Sequence, residues 1–163
     1  MTKPRVLVVD DKENMLKLFE KILGETCRLV TAGDGAAALA LLANQEFDVV
    51  VTDIRMPGAG GFEVLKAVKA RSPATEVVLM TGYANVPDAV QAMKIGAYDY
   101  IEKPFDPDAA ALTVARAAER KRLRHEAASL RRELEGTYAF RNLVGRSPRM
   151  LEVYRLLEQA ASL

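Results

Sequence analysis

Phe47 to Leu65 reads FDVVVTDIRMPGAGGFEVL. The apolar run Val49 to Val51 shows no alternation of polar and apolar residues, the pattern of a strand buried on both faces of a parallel sheet. It closes on a carboxylate, Asp53. Met56, Pro57 and a glycine-rich turn (Gly58, Gly60, Gly61) follow, and then Phe62, Leu65 and Val68 recur at helical spacing. Strand, turn and helix in that order put Asp53 at the carboxyl end of a buried strand. In open α/β sheets that end is where ligands bind, beside a topological switch point.

Outward from this stretch the same unit repeats. Arg5 to Asp10 (RVLVVD) is a buried strand closed by the pair Asp10 and Asp11, and Met15, Leu16, Leu18, Phe19, Ile22 and Leu23 give a helix that stops at Gly24. Cys27 to Ala32 is a second strand, Gly33 to Gly35 a turn, and Ala36 to Ala43 a helix. Downstream, Ser72 and Pro73 break the third helix and Glu76 to Thr81 (EVVLMT) forms a fourth strand. After a loop, Pro87 opens a helix that Gly96 ends, and Tyr98 to Ile101 is a fifth strand followed by Lys103-Pro104. From Pro107 to about Leu134 neither proline nor glycine interrupts a chain rich in Ala, Leu, Arg and Glu, which predicts one long helix ending before Gly136. Five strand-helix units predict a parallel sheet covered on both faces, with right-handed crossovers.

Composition excludes several classes. The 163 residues suit one ordinary domain with an appendage, and half of them are hydrophobic. With 23 basic and 22 acidic residues, overall charge offers no attraction to nucleic acid or an anionic membrane. A single cysteine, Cys27, rules out an internal disulfide and reads as a small core hydrophobe. No apolar run has the length of a signal peptide core or a spanning helix, so the expected location is cytoplasmic.

A parallel sheet gathers all its carboxyl ends on one rim, so Asp10, Asp11, Asp53, Thr81 and Lys103 are expected together. Two carboxylates about 4 Å apart repel by several kcal/mol at an effective dielectric near 20, and three of them call for a cation. Oxygen ligands with room for water suit Mg²⁺. With the metal bound, one carboxylate can act as nucleophile toward a phosphoryl group, while Lys103 offsets charge on its oxygens and Thr81 donates its hydroxyl. Singly, each residue has a plainer reading. Asp10 and Asp11 can cap a helix, Asp53 can hold a turn, Thr81 can be a strand-end hydroxyl, Lys103 a solvated lysine and Tyr100 a packed aromatic. The joint spacing is what favours phosphoryl transfer onto Asp.

Through VVDD, DIRMPGAGGFEVL, MTG and YDYIEKPF, in that order and spacing, residues 1 to about 120 resemble the receiver domain of two-component response regulators. The resemblance implies a flavodoxin-like (CheY-like) doubly wound five-stranded sheet of order 2-1-3-4-5, an arrangement that is itself a standing example of the doubly wound class. It implies Asp53 as phosphoacceptor, Asp10 and Asp11 as the acidic pair holding Mg²⁺ with Asp53 and the backbone carbonyl of Arg55, and Lys103 as the phosphate-contacting lysine. Thr81 becomes the switch hydroxyl and Tyr100 the switch aromatic that turns inward. A cis Lys103-Pro104 bond is implied too, as is a sensor histidine kinase as phosphoryl donor. Arg55 and Tyr83 stand where receivers vary and tune phosphoryl lifetime.

Past the receiver, Leu123, Ala127, Leu130 and Leu134 step by four, three and four, a seam of about two heptads able to pair with a second chain. Arg116, Arg120, Lys121, Arg122, Arg124, Arg131 and Arg132, interspersed with Glu119, Glu126, Glu133 and Glu135, read as a solvated helical face with salt bridges. Ser147 and Pro148 open a further helix with a stripe of Met150, Leu151, Tyr154, Leu157 and Ala161. FRNLVGRSPRM resembles the entry to the AAA+ ATPase domain of NtrC-like sigma-54-dependent activators. No GxxxxGK[ST] sequence is present, so the expectation is a fragment and not the ATPase. The expected divisions are 1–120 receiver domain, 121–138 helical signalling linker and 139–163 the beginning of the AAA+ domain.

The reading is therefore a phosphorylation-dependent regulator that is not an enzyme in its own right. It pairs as a homodimer through the face from the fourth to the fifth helix and through the linker helix. It reaches sigma-54 RNA polymerase and DNA only through domains outside this chain, and it has no membrane partner. A hydrolase working through an aspartyl-phosphate would carry a second carboxylate just after the nucleophile, where Ile54 and Arg55 stand instead. A static receiver-like interaction module would lack part of the acidic pair, the acceptor or the lysine. Flavin binding would need a Ser/Thr-rich first loop in place of Asp10, Asp11 and Lys12.

Overall fold

A computed structural model describes residues 2–144 and 148–161. The chain divides into two compact units, Met1–Leu123 and Arg124–Leu163.

In the first unit, β1 (Arg5–Val9), β2 (Arg28–Ala32), β3 (Val49–Asp53), β4 (Glu76–Thr81) and β5 (Asp99–Glu102) form one parallel sheet in the order β2-β1-β3-β4-β5. Helices α1 (Glu13–Leu23), α2 (Gly35–Asn44), α3 (Gly61–Arg71) and α4 (Val86–Ile95) alternate with the strands, and α5 (Pro107–Val144) follows β5. The fold and strand order expected from the sequence are those found. β5 starts one residue later than predicted. Helix α4 starts at Val86 rather than Pro87, because the Asn85 side chain accepts the Asp88 N–H at 2.8 Å and takes the cap position.

The two-residue period of a strand sends neighbouring side chains to opposite faces, and both faces here are covered. Leu7, Val9, Val50, Val77 and Leu79 meet Ala38 of α2, Val64, Leu65 and Val68 of α3 and Ala92 of α4. Val6, Val8, Val49, Val51, Val78 and Met80 meet Phe19 and Leu23 of α1 and Ala110, Val114 and Ala117 of α5. Hence the central strands read as apolar runs without alternation. Cys27 is buried and free, in keeping with a structural role. Gly61 is required where α3 begins, since a Cβ there would run into the backbone carbonyl of Asp53 and sit 2.8 Å from the Cα of Ile54. The Lys103-Pro104 bond is cis.

Helix α5 does not stop before Gly136 but runs through it to Val144. A glycine inside a helix costs about 1 kcal/mol relative to alanine, and propagating an established helix needs no new nucleus. Thr137 Oγ1 also bonds back to the Glu133 carbonyl at 2.9 Å. A second correction concerns Lys121, read as part of the solvated, salt-bridged face. Four residues beyond buried Ala117, it falls on the stripe that faces the sheet, whereas Arg120 stays exposed and forms a salt bridge as that reading expects. Lys121 Nζ lies 2.9 Å from Asp48 Oδ1 and Arg120 Nε 3.6 Å from Glu76 Oε1.

In the second unit, Leu130 and Leu134 of α5 are exposed, and α6 (Pro148–Ala161) exposes Val153, Leu156 and Leu157. Ser147, expected to cap α6, and the side chains of Met150, Leu151 and Tyr154 lie outside the described residues. No helix among the described residues is long and apolar enough to cross a membrane.

Candidate functional site

The strand order reverses between β1 and β3, which leaves a crevice at their carboxyl ends. β1 delivers Asp10 to it and β3 ends in Asp53, both buried, while Asp11 beside them is exposed. Carboxylate oxygens of the three lie within 4.8 Å of one another. From the loop after β5, Lys103 Nζ reaches Asp10 Oδ2 at 2.8 Å and Asp53 Oδ2 at 3.3 Å. These four residues, expected together on the rim, are brought together. Capping does not account for the acidic pair, because Lys12 occupies the cap of α1 and Asp10 Oδ1 instead accepts its N–H at 2.9 Å.

Three carboxylates against one ammonium leave the cluster short of positive charge. At about 5 Å each like-charged pair repels by about 3 kcal/mol at an effective dielectric near 20. Burial pushes the Asp53 carboxyl above the ordinary carboxylate range; Lys103 opposes that shift, Asp10 adds to it, and the Arg55 backbone N–H opposes it. A small divalent cation with oxygen-only ligands fits this donor set, two of whose carboxylates are buried and the third open to water.

Thr81 is buried at the end of β4, one residue past Met80, which lies opposite Asp53 in the sheet. Its hydroxyl oxygen accepts the Tyr83 N–H at 3.0 Å, which leaves its hydrogen available to a newcomer in the crevice. Its carbonyl accepts the Lys103 N–H at 2.7 Å, a tie between two predicted site residues that spacing alone does not reveal. Tyr100 packs against the core side of the α2–α3–α4 face, and its hydroxyl is buried without a hydrogen-bond partner. The residue expected to be the switch aromatic thus faces inward with an unsatisfied hydroxyl, a condition costing about 1–3 kcal/mol.

Arg55 is exposed and lays its guanidinium 4.8 Å from the centre of the Tyr83 ring, itself 70 % exposed. The sequence marks both positions, but nothing in it shows that they stack. Also missed are Asp48 and Glu76 at the opposite edge. They sit among apolar residues at strand starts, and their partners lie 73 and, by numbering, 44 residues away on α5.

Residues 6–115 match the family model described as response regulator receiver domain. Among curated relatives, the C4-dicarboxylate transport transcriptional regulatory protein DctD of Pseudomonas aeruginosa is 39% identical over 161 residues, covering 98% of this chain and 34% of its own. The DNA-binding transcriptional regulator NtrC of Salmonella typhimurium is 36% identical over 160 residues, covering 96% and 33%. The chain thus spans about a third of the length of these relatives. Among solved structures, a BeF3-activated DrrB receiver domain superposes with a TM-score of 0.68 at 31% identity, covering 72% of this chain and 99% of that one.

Proposed function

Since the chain belongs to the response regulator receiver domain family, we propose that its rim accepts a phosphoryl group on Asp53 from the phosphohistidine of a sensor histidine kinase. The observation carrying this is the clustering of Asp10, Asp11 and Asp53 around Lys103 at the carboxyl edge of the sheet. Asp10, Asp11, Asp53 and the backbone carbonyl of Arg55 are the groups that would hold Mg²⁺, which neutralises the carboxylates and the incoming phosphoryl oxygens. An Asp53 oxygen attacks phosphorus, the P–N bond to the histidine breaks with its electron pair going to that nitrogen, and the imidazole, protonated on its other ring nitrogen, leaves as a neutral ring. Lys103 then exchanges part of its pairing with Asp53 for a phosphoryl oxygen. Thr81 donates its hydroxyl hydrogen to another while its own oxygen keeps the Tyr83 N–H.

The phosphoryl group adds about −1.5 to −2 charges beside a buried cluster. Movement of Thr81 toward it, and of Lys103 through the Thr81 carbonyl, biases the segment from α4 to α5 between two arrangements. Tyr100, half-buried with its hydroxyl buried and unpaired, is the aromatic that registers the change. Val90 and Met93 on α4 and Leu112 on α5 expose apolar surface, and through this face and the linker helix a homodimer is the output. In this reading residues 1–120 are the receiver, 121–138 the signalling linker, and 139–163 the entry to an AAA+ domain that acts with sigma-54 RNA polymerase in the cytoplasm. The chain itself promotes its own phosphorylation and dephosphorylation and performs no further catalysis.

The test is incubation with acetyl phosphate, with and without Mg²⁺, read by intact mass beside Asp53→Asn. A single phosphoryl adduct that needs both Mg²⁺ and Asp53 is the expected result. No adduct in the wild type would establish a static interaction module. An adduct retained in Asp53→Asn would move the acceptor to another carboxylate.

A further inference from the structure

Helix α5 leaves the sheet within a single turn. Ala117 is buried and Lys121 half-buried, whereas residues 122–137 are all exposed. Two cations hold that departing turn. Lys121 Nζ donates to Asp48 Oδ1 at 2.9 Å and to the Phe47 carbonyl at 3.2 Å. Arg120 pairs with buried Glu76 at 3.6 Å, and its guanidinium lies 5.4 Å from the centre of the Tyr98 ring. The groups that seat the helix are themselves tied to their neighbours. The other oxygen of Asp48 accepts the Arg5 N–H at 2.7 Å, and the Phe47 carbonyl also accepts the Thr75 hydroxyl at 2.7 Å. The Asp48 carbonyl accepts the Glu76 N–H at 3.1 Å, and the Val77 carbonyl accepts the Tyr98 N–H at 2.7 Å.

These anchors lie on the strands that build the rim. Asp48 precedes β3 and Asp53 ends it, Glu76 begins β4 and Thr81 ends it, and Tyr98 precedes β5 and Lys103 follows it. Each anchor stands five positions before its rim residue, about 16 Å along a strand at 3.3 Å per residue. Three neighbouring strands thus present the rim at one end and the seat of α5 at the other. Interiors packed at crystal density transmit displacement instead of absorbing it, so the seat keeps its place relative to the rim. We propose that Lys121, with Arg120, clamps the departing turn of α5 to the amino ends of β3, β4 and β5, and that this clamp is the fulcrum through which displacement of the α4–α5 segment reaches the rest of α5. Lys121 is a positioning residue: it touches no reacting atom, and its loss separates phosphoryl uptake from output. It carries the larger share, since its side chain is 20% exposed against 43% for Arg120 and its ion pair is screened less. The transmission rests on the phosphorylation and homodimer proposed above, and the clamp itself does not.

Lys66→Cys on α3 and Leu123→Cys, two residues past Lys121, are combined in a Cys27→Ala background, and both positions are exposed. The pair carries nitroxide labels and is diluted into unlabelled chain, so that pulsed electron resonance reads distances within one chain. Lys121→Met keeps the aliphatic stem and removes the ammonium, and Lys121→Arg restores the charge. Without a phosphoryl donor the parent gives one narrow distance, Lys121→Met about doubles its width, and Lys121→Arg narrows it again. Equal widths in all three overturn the clamp. The unlabelled proteins are then treated with acetyl phosphate and Mg²⁺, with uptake read by intact mass and the dimer dissociation constant by sedimentation equilibrium. Wild type and Lys121→Met take up the phosphoryl group alike, which also certifies that the variant is folded. Phosphorylation changes the dissociation constant at least about fivefold in wild type and less than about twofold in Lys121→Met, with Lys121→Arg following wild type. An equal change in all three overturns the fulcrum. A wild type that takes up no phosphoryl group, or takes it up without a change in association, refutes the function proposed above and the transmission with it, while the label widths still decide the clamp.

Discussion

At the amino edge of the sheet Asp48 and Glu76 face Lys121 and Arg120, whereas at the carboxyl edge Asp10, Asp11 and Asp53 share Lys103. The amino edge is balanced. Asp48 takes the Arg5 N–H at 2.7 Å on one oxygen and Lys121 on the other, and Lys121 also reaches the Phe47 carbonyl at 3.2 Å. Its charges are matched, so it needs nothing from outside and serves to fasten α5 to the strands. At the carboxyl edge the acids outnumber the base, and that deficit of positive charge suits a cation, on which the proposed phosphoryl chemistry depends. A buried acid signals function here only where its neighbours leave it uncompensated.

The sharpest way to break this contrast is to remove one acid or one base from each edge. Asp10→Asn takes from the cluster a carboxylate proposed to hold Mg²⁺, and even the partners of metal ligands cost 10–100-fold, so Mg²⁺-dependent uptake from acetyl phosphate should fall by about 100-fold or more. Arg120→Ala at the other edge leaves buried Glu76 without that guanidinium and should lower unfolding free energy by about 1–3 kcal/mol, with phosphoryl uptake unchanged. Chemical denaturation and intact-mass time courses on both variants check this. Equal losses of uptake would show that the edges are not separable.

Which of these groups the sequence discloses follows from distance along the chain and from chemistry. Asp53 and Thr81 end strands and Asp10, Asp11 and Lys103 follow directly after strands, so the parallel sheet alone predicts that they share a rim. Strand order was legible only through the family resemblance, because right-handed crossovers permit several orders. Asp48 and Glu76 were missed because nothing local distinguishes an acid at a strand start from a solvated one. Lys121 departs from the solvated reading because the sheet-facing phase of α5 extends one turn past Ala117, while Arg120 beside it keeps to that reading. Gly136 misled because a glycine stops a helix only where the backbone must turn, and here it continues.

A smaller effect tests the electrostatic deficit directly. Burial raises the Asp53 pKa, so the folded protein holds that proton more tightly than the unfolded chain does. The associated stability is complete below the unfolded carboxylate range and is lost as pH rises through the folded value. Asp53→Asn removes the ionisation. Without Mg²⁺ it should therefore be more stable than wild type near neutral pH, the advantage shrinking as pH falls toward the ordinary carboxylate range of about 4. Thermal denaturation across that range measures it. A destabilised Asn variant at neutral pH would mean that the Lys103 pair outweighs burial.

Each edge also carries an arginine over a tyrosine, and this pair gives the finest discrimination. Arg120 lies 5.4 Å from the centre of the half-buried Tyr98 ring, and Arg55 lies 4.8 Å from that of exposed Tyr83. An exposed stack contributes only about 0.5–1 kcal/mol, so Tyr83 adds little to the fold. If Asp53 takes the phosphoryl group as proposed above, Tyr83, two residues past Thr81 and tied to that hydroxyl by its own N–H, is the candidate shield against attacking water. Wild type should then hold the phosphoryl group for minutes or longer, and loss within seconds would refute the shield. Tyr83→Ala should speed phosphoryl loss by about threefold, equivalent to less than 1 kcal/mol, with stability unchanged. Tyr98→Ala should do the reverse, lowering stability and leaving the lifetime alone, since its ring supports the fastened edge and stands away from the reacting one.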